Sequence, residues 1–157
     1  MSKNVYSDNL MFEQGIYSLL GERLIDEYFV IIDFDSKSSI KSITALDPRR
    51  EVIGFASNDI SYYKAERAGI KIVLDKRAGV KDLLNFFLFR RSGTFYRLKS
   101  TLTLREKETL LLLTEGLSIK DVARELGLNE NTVYTLRRNI LVKLEIKNRI
   151  DLINYIV

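Results

Sequence analysis

The run SIKDVARELGLNENTVYTLRRNILVKL, which begins at Ser118, restricts the fold more than any other stretch of the 157-residue chain. Ile119, Val122, Ala123 and Leu126 recur at helical spacing, with Ser118 as a cap and Asp121 three residues on. Ala123 is small where another helix is expected to cross closely. Gly127 suits the left-handed turn that ends this helix, and Asn129 caps the next. There Val133, Leu136, Ile140 and Leu144 repeat at three- and four-residue intervals and must face a core. At about 100° per residue, Tyr134, Thr135 and Arg138 then point outward.

Two short helices joined by a tight turn, with polar and cationic groups near the start of the second, are the parts of a helix-turn-helix DNA reader. Arg138 can grip guanine bidentately, the Thr135 methyl can pack on a thymine methyl, and Tyr134 can do either job or bond a phosphate. Lys120, Thr132, Arg137 and Lys143 sit nearer the rim and are expected on backbone phosphates. The net charge of +4 is only mildly basic. The stretch 131–144, however, holds Arg137, Arg138 and Lys143 with no acid, a local patch sufficient for one short double-stranded site.

Upstream, Thr103 and Glu106 have the spacing of a capping box, and Leu104, Glu108, Leu111 and Leu112 predict a helix with one buried stripe ending at Gly116. A final helix is expected from Asn148 to about Ile156. Its Ile150, Leu152, Ile153, Tyr155 and Ile156 are more apolar surface than a three-helix core needs. A second copy is the natural cover, with Ile150, Ile153 and Tyr155 at the dimer contact and a two-fold DNA site as the corollary.

Residues 3–89 alternate short apolar runs with helical patterns, which predicts a layered α/β unit. Strands are expected at Val5-Tyr6, Tyr28–Ile32, Glu51–Ala56 and Ile70–Leu74, and helices at Leu10–Leu20, Ser61–Ala68 and Val80–Phe89. The run from Tyr28 reads as a strand buried on both faces.

The chain has no cysteine and no histidine. Disulfides, thiolate catalysis, cysteine-ligated metals and the commonest general base are thereby removed, and no convergent catalytic set replaces them. An enzyme is not expected, and neither is a metal site. No apolar run is long enough to span a bilayer, and the N-terminus lacks a secretion pattern, so a cytoplasmic protein without a membrane partner is expected.

The C-terminal pattern resembles the LuxR/FixJ/NarL family of bacterial transcription regulators. It does so through Leu102-Thr103, Arg105-Glu106, Glu108, Gly116-Leu117-Ser118, Lys120, Val122-Ala123, Leu126, Thr132-Val133, Asn139-Ile140, Lys143-Leu144, Asn148-Arg149 and Leu152. The resemblance implies a four-helix DNA-binding domain whose base-reading positions fall on Tyr134, Thr135 and Arg138. The family usually has lysine at the first of these and histidine two residues later; here they are Tyr134 and Leu136.

Residues 4–89 resemble the receiver domain of two-component response regulators through the segment from Asn4 to Ile16, Ile31-Ile32-Asp33, Ala56-Ser57 and Val73-Leu74-Asp75-Lys76. The resemblance implies a flavodoxin-like parallel sheet. Its acidic pair maps to Ser7 and Asp8, the phosphoacceptor to Asp33, the sensing hydroxyl to Ser57 and the lysine to Lys76. Ser7 removes a carboxylate that would help to hold Mg²⁺, a hard cation that dehydrates reluctantly. Mg²⁺ is expected only if this pocket works, and the depleted acids favour a pseudo-receiver. The interval from Asp8 to Asp33 is too short for a full complement of elements, so the second strand and its helix are expected to be missing. The other four strands would remain contiguous, with the first uncovered.

The architecture expected is therefore α/β plus all-α: a truncated receiver-like domain over 1–89, a basic linker over 90–101 containing Arg90, Arg91, Arg97 and Lys99, and a LuxR-type domain over 102–157. Three functions remain open. One is a dimeric, phosphorylation-independent DNA-binding regulator. Another is a phosphorelay-controlled regulator with Asp33 as acceptor. The third is an interaction protein that heterodimerises with a related regulator.

Overall fold

Strand β2 (Phe29–Asp33) is buried along its whole length, as a run of Phe, Val and Ile between two helical layers requires. The computed structural model describes residues 3–37, 47–91 and 93–147. The chain divides into two units, residues 1–97 and 98–157.

In the first unit β1 (Val5–Tyr6), β2, β3 (Glu51–Ala56) and β4 (Ile72–Asp75) form one sheet in the order β1-β2-β3-β4. Every neighbouring pair is parallel, with Ile31 opposite both Val5 and Ile53, and Ile53 opposite Ile72. This is the contiguous sheet expected after loss of a second strand. One face carries Val5, Phe29, Ile31, Ile53, Phe55 and Leu74. It is covered by Ile16 of α1 (Leu10–Leu20), Ile25 of α2 (Glu22–Tyr28), and Leu83, Phe86 and Phe87 of α4 (Val80–Phe89). Burying each of the larger side chains stabilises the unit by about 1.5–3 kcal/mol. The opposite face presents Val30, Ile32, Ala56 and Val73 to Ala65 of α3 (Asp59–Arg67) and to Tyr96.

Three boundaries differ from the expectation, those of β2, α3 and β4, the last running from Ile72 to Asp75 rather than from Ile70 to Leu74. Helix α2 was not foreseen, and Tyr28 belongs to it rather than to the strand. Its heptapeptide is short, and the apolar run behind it hid the change of period. Helix α3 starts at Asp59 because the Asn58 side chain caps it, accepting from the Ser61 amide at 2.9 Å. Gly54 marks a close approach: a Cβ there would lie 3.0 Å from Phe34 Cε2, so its absence lets the buried Phe34 ring cross β3.

The stretch expected as a basic linker is partly built into this unit. Asp75 donates its amide to the Thr94 carbonyl at 2.7 Å, and Tyr96 donates to the Val73 carbonyl at 2.9 Å. Phe95 thereby bridges Leu74 in the antiparallel sense, and Tyr96 is buried. Unpaired groups along the β4 edge recruited this segment, an interaction the basic composition of the stretch does not reveal.

The second unit holds α5 (Leu104–Thr114), α6 (Ile119–Leu126) and α7 (Glu130–Lys143). The capping box forms in both directions: Glu106 donates its amide to Thr103 Oγ1 at 3.3 Å, and Thr103 donates its own to Glu106 Oε2 at 2.8 Å. Leu102, Leu110, Leu111, Leu113, Val122, Ala123, Val133 and Ile140 are buried. On α5 the buried residues are Glu106, Thr109, Leu110, Leu111 and Leu113; of the expected Leu104, Glu108, Leu111 and Leu112 only Leu111 is among them, and Leu104 is 72% exposed. Once Glu106 turns inward, Leu104 and Glu108 rotate outward. Gly127 adopts φ 65° and returns its amide to the Ala123 and Arg124 carbonyls, which closes α6. The expected fourth helix, with Ile150, Ile153 and Tyr155, lies outside the described residues. Among the described residues, no helix is long and apolar enough to cross a membrane.

Candidate nucleic-acid interface and the pocket of the first unit

The first turn of helix α7 is capped by Asn129. Asn129 accepts from the Thr132 amide at 2.9 Å and from its hydroxyl at 3.2 Å. Val133 and Ile140 are fully buried, which fixes the rotation of the helix and leaves Tyr134, Thr135 and Arg138 exposed. Asn131 shares that face at one helical turn's spacing, a position that the i, i+3, i+4, i+7 pattern also marked but that was not singled out. The Thr135 hydroxyl donates back to the Asn131 carbonyl at 3.1 Å, so its methyl is the freer contact surface. Arg137 lies with its guanidinium 5.0 Å from the centroid of the Tyr134 ring, a cation–π contact that orients the tyrosine. No hydrogen bond or ion pair among the described residues engages Arg138. Lys120 and Thr132 are exposed at the starts of α6 and α7.

Lys143, expected on a backbone phosphate, is also ion-paired within the domain. Its ammonium lies 2.7 Å from Glu106 Oε2 and joins α7 to α5. Glu106 is nearly inaccessible, and a buried carboxylate requires a cation. Burial pushes its carboxyl up, but the bonds from Lys143 and Thr103 outweigh that and hold it below the usual range.

At the C-terminal ends of the first unit's strands lies an open depression of about 670 Å³, lined among others by Asp8, Asn9, Asp33, Asp35, Ser36 and Lys76. Asp33 ends β2 and is 1% exposed. Its Oδ2 accepts from the Ser7 hydroxyl at 2.7 Å and from Lys76 at 2.8 Å, and its Oδ1 from the Asp35 amide at 3.1 Å. Asp8 donates its amide to Ser36 Oγ at 2.7 Å. Ser57 turns its amide to Asp35 Oδ1 at 3.2 Å. The structure thus brings Asp33 and Lys76 together as expected, but joins Ser57 to Asp35, a residue the sequence reading passed over.

The segment 100–156 matches the model of the bacterial regulatory proteins, luxR family. The C-terminal unit is a LuxR-type helix-turn-helix domain. The chain is 34% identical over 102 residues to the transcriptional regulatory protein DesR of Bacillus subtilis (strain 168), covering 59% of this chain and 51% of that one. It is 40% identical over 127 residues to the monoamine regulon transcriptional regulator of Klebsiella aerogenes, covering 78% and 52%. The chain therefore spans about half the length of the curated relatives it matches. The fold is similar to that of the response regulator RcsB in a DNA complex, at TM-score 0.50 and 19% identity over 96% of this chain and 95% of that one. A structure of two RcsB dimers on parallel DNAs gives 0.51 at 19%, covering 96% and 94%. The N-terminal unit is receiver-like and truncated.

In the LuxR-type domain α6 and α7 are the two helices of the motif, and α7 is its second. The receiver-like pocket does not fit Mg²⁺. Ser7 spends its hydroxyl on Asp33, Lys76 places its ammonium on the same Asp33 oxygen, and no group of three acids among the described residues is placed to hold a metal ion.

Proposed function

We propose that this protein is a DNA-binding transcription regulator that reads a two-fold site as a dimer and does so without phosphorylation. The observation that carries the reading is the division of α7: Val133 and Ile140 anchor one side, while Tyr134, Thr135 and Arg138 stand exposed within its first turns. DNA in the solved complexes of RcsB supports the choice of partner. Arg138 and the Thr135 methyl read base edges, and Tyr134 is presented by the Arg137 guanidinium beneath it. Lys120, Thr132 and Arg137 set the domain on backbone phosphates. The dimer forms through Ile150, Ile153 and Tyr155.

Independence from phosphorylation is supported by the state of Asp33. Both its oxygens accept hydrogen bonds from within the chain, and the group is withdrawn from solvent. Phosphorelay control through Asp33, the competing reading, predicts an added phosphoryl mass after incubation with a small phosphodonor and Mg²⁺, absent in Asp33→Asn. Selection of bound sequences from random duplexes tests the main reading. A recovered motif with two-fold symmetry supports it, and absence of enrichment with the intact protein contradicts it.

A further inference from the structure

Asn131 stands in the first turn of α7, two positions past the Asn129 cap, and it is exposed. The cap is already supplied, since Asn129 accepts from both the amide and the hydroxyl of Thr132. No hydrogen bond among the described residues engages the Asn131 carboxamide. Only its backbone carbonyl is used, accepting from the Thr135 hydroxyl at 3.1 Å. Asparagine is a poorer helix former than alanine, because its side chain competes for backbone groups. Here it neither caps nor packs, so its amide contributes nothing to the fold. The burial of Val133 and Ile140 sets which side of α7 is free. Residues 131, 134, 135 and 138 follow the i, i+3, i+4, i+7 rhythm and form one exposed stripe. Asn131 is the N-terminal member of that stripe, the end of a second helix that contacts base edges.

We infer that Asn131 is a further specificity-determining residue and that it reads an adenine. A carboxamide presents an acceptor oxygen beside an N–H donor. Adenine presents the complementary pair, N6–H and N7, in the major groove, and no other base offers that pair there. The Arg138 guanidinium has donors only, which suits guanine, whose two groups in that groove are both acceptors. Asn131 and Arg138 are seven residues apart, about 10.5 Å along the helix axis. For a helix that follows the groove, that is about three base-pair steps. The Thr135 methyl lies between them and meets a thymine methyl. Each half-site thus holds an adenine and a guanine about three steps apart, with a thymine methyl in the interval. This assignment deepens the proposed reading of α7 and rests on it.

The test uses the full chain and the duplex recovered by selection, with each base pair of a half-site replaced in turn and binding read by fluorescence anisotropy. The native protein should lose about 5- to 150-fold in affinity when the adenine is replaced. Asn131→Ala should bind all four bases at that position alike, while keeping the native preference for guanine. A preference profile unchanged at every position in Asn131→Ala overturns the inference. So does a loss of affinity equal for every duplex, which is the mark of a phosphate contact. The native protein supplies a second measurement that needs no variant, with 7-deazaadenine, which lacks the N7 acceptor, placed at each adenine of either strand. Binding should weaken at one of these positions, and equal binding at all of them overturns the inference. Arg138→Ala in the same titration separates the two failures. If it relaxes the guanine while Asn131→Ala relaxes nothing, only the role of Asn131 falls. If neither variant alters the profile, α7 does not read the bases and both readings fall.

Discussion

The Tyr96 hydroxyl donates to Asp59 Oδ1 at 2.7 Å, and both groups are buried, so the segment leaving the receiver-like unit is latched to the first turn of α3. Tyr62 stacks on the same ring at 5.7 Å between centroids. Burial, with the Asp59 bond, drives the Tyr96 phenol well above its ordinary pKa, so it stays a neutral donor across the physiological range. Tyr96→Phe keeps the stacking and removes the bond. Urea unfolding should show the first unit weakened by about 1.5–3 kcal/mol, the usual worth of a hydrogen bond to a charged group. An unchanged midpoint would show that the latch contributes nothing.

The pair of Glu106 and Lys143 predicts an acid sensitivity in the LuxR-type domain. The folded pKa of Glu106 is depressed, so its contribution is complete above the unfolded value of about 4.3 and is lost as pH falls through the folded value. Thermal unfolding of the native protein should therefore lose stability below about pH 4.3. In Glu106→Gln that part of the profile should flatten, with a stability lower by about 1–3 kcal/mol at neutral pH. A pH profile identical in both proteins would contradict the role given to the pair.

Gly54→Ala should destabilise the first unit by about 1–3 kcal/mol, because the added methyl meets Phe34 and Ile70 within 3.3 Å in a filled core. Denaturant unfolding measures this directly. A neutral result would mean that the Phe34 ring moves aside at no cost.

Much of this architecture is legible in the sequence. Helix α7 and its buried side were readable because Val133 and Ile140 sit at helical spacing between an asparagine cap and a basic end. The missing second strand was readable from the short interval between Asp8 and Asp33, once the receiver resemblance had mapped those two positions. What escaped was written in no periodicity. Glu106 looked like a capping residue, and only the approach of Lys143 from another helix shows it turned inward. Tyr96 sat in a stretch whose arginines signalled solvent, whereas its ring completes a sheet face. Asp35 belongs to no periodic pattern, and the donors that meet it come from residues more than twenty positions away. Long-range polar partners leave no mark on local sequence, which is why the core was easier to foresee than the pocket.

Added salt should weaken DNA binding through counterion release, with log K falling by about 0.9 per decade of salt for each phosphate neutralised. Lys120→Ala should reduce that slope by about 1 and lower affinity alike for all duplexes. A slope unchanged in the variant would remove Lys120 from the phosphate contacts.

The exposed face of α7 is the centre of the account, and Arg138→Ala tests it most directly. Titration of the native and variant proteins against the selected duplex and a scrambled one, read by fluorescence anisotropy, gives both affinity and specificity. Specific binding should weaken by about 1–3 kcal/mol, with the helical circular dichroism signal intact and discrimination relaxed at one position of the site. Undiminished affinity and unchanged discrimination in Arg138→Ala would contradict the assignment of α7 as the helix that reads DNA.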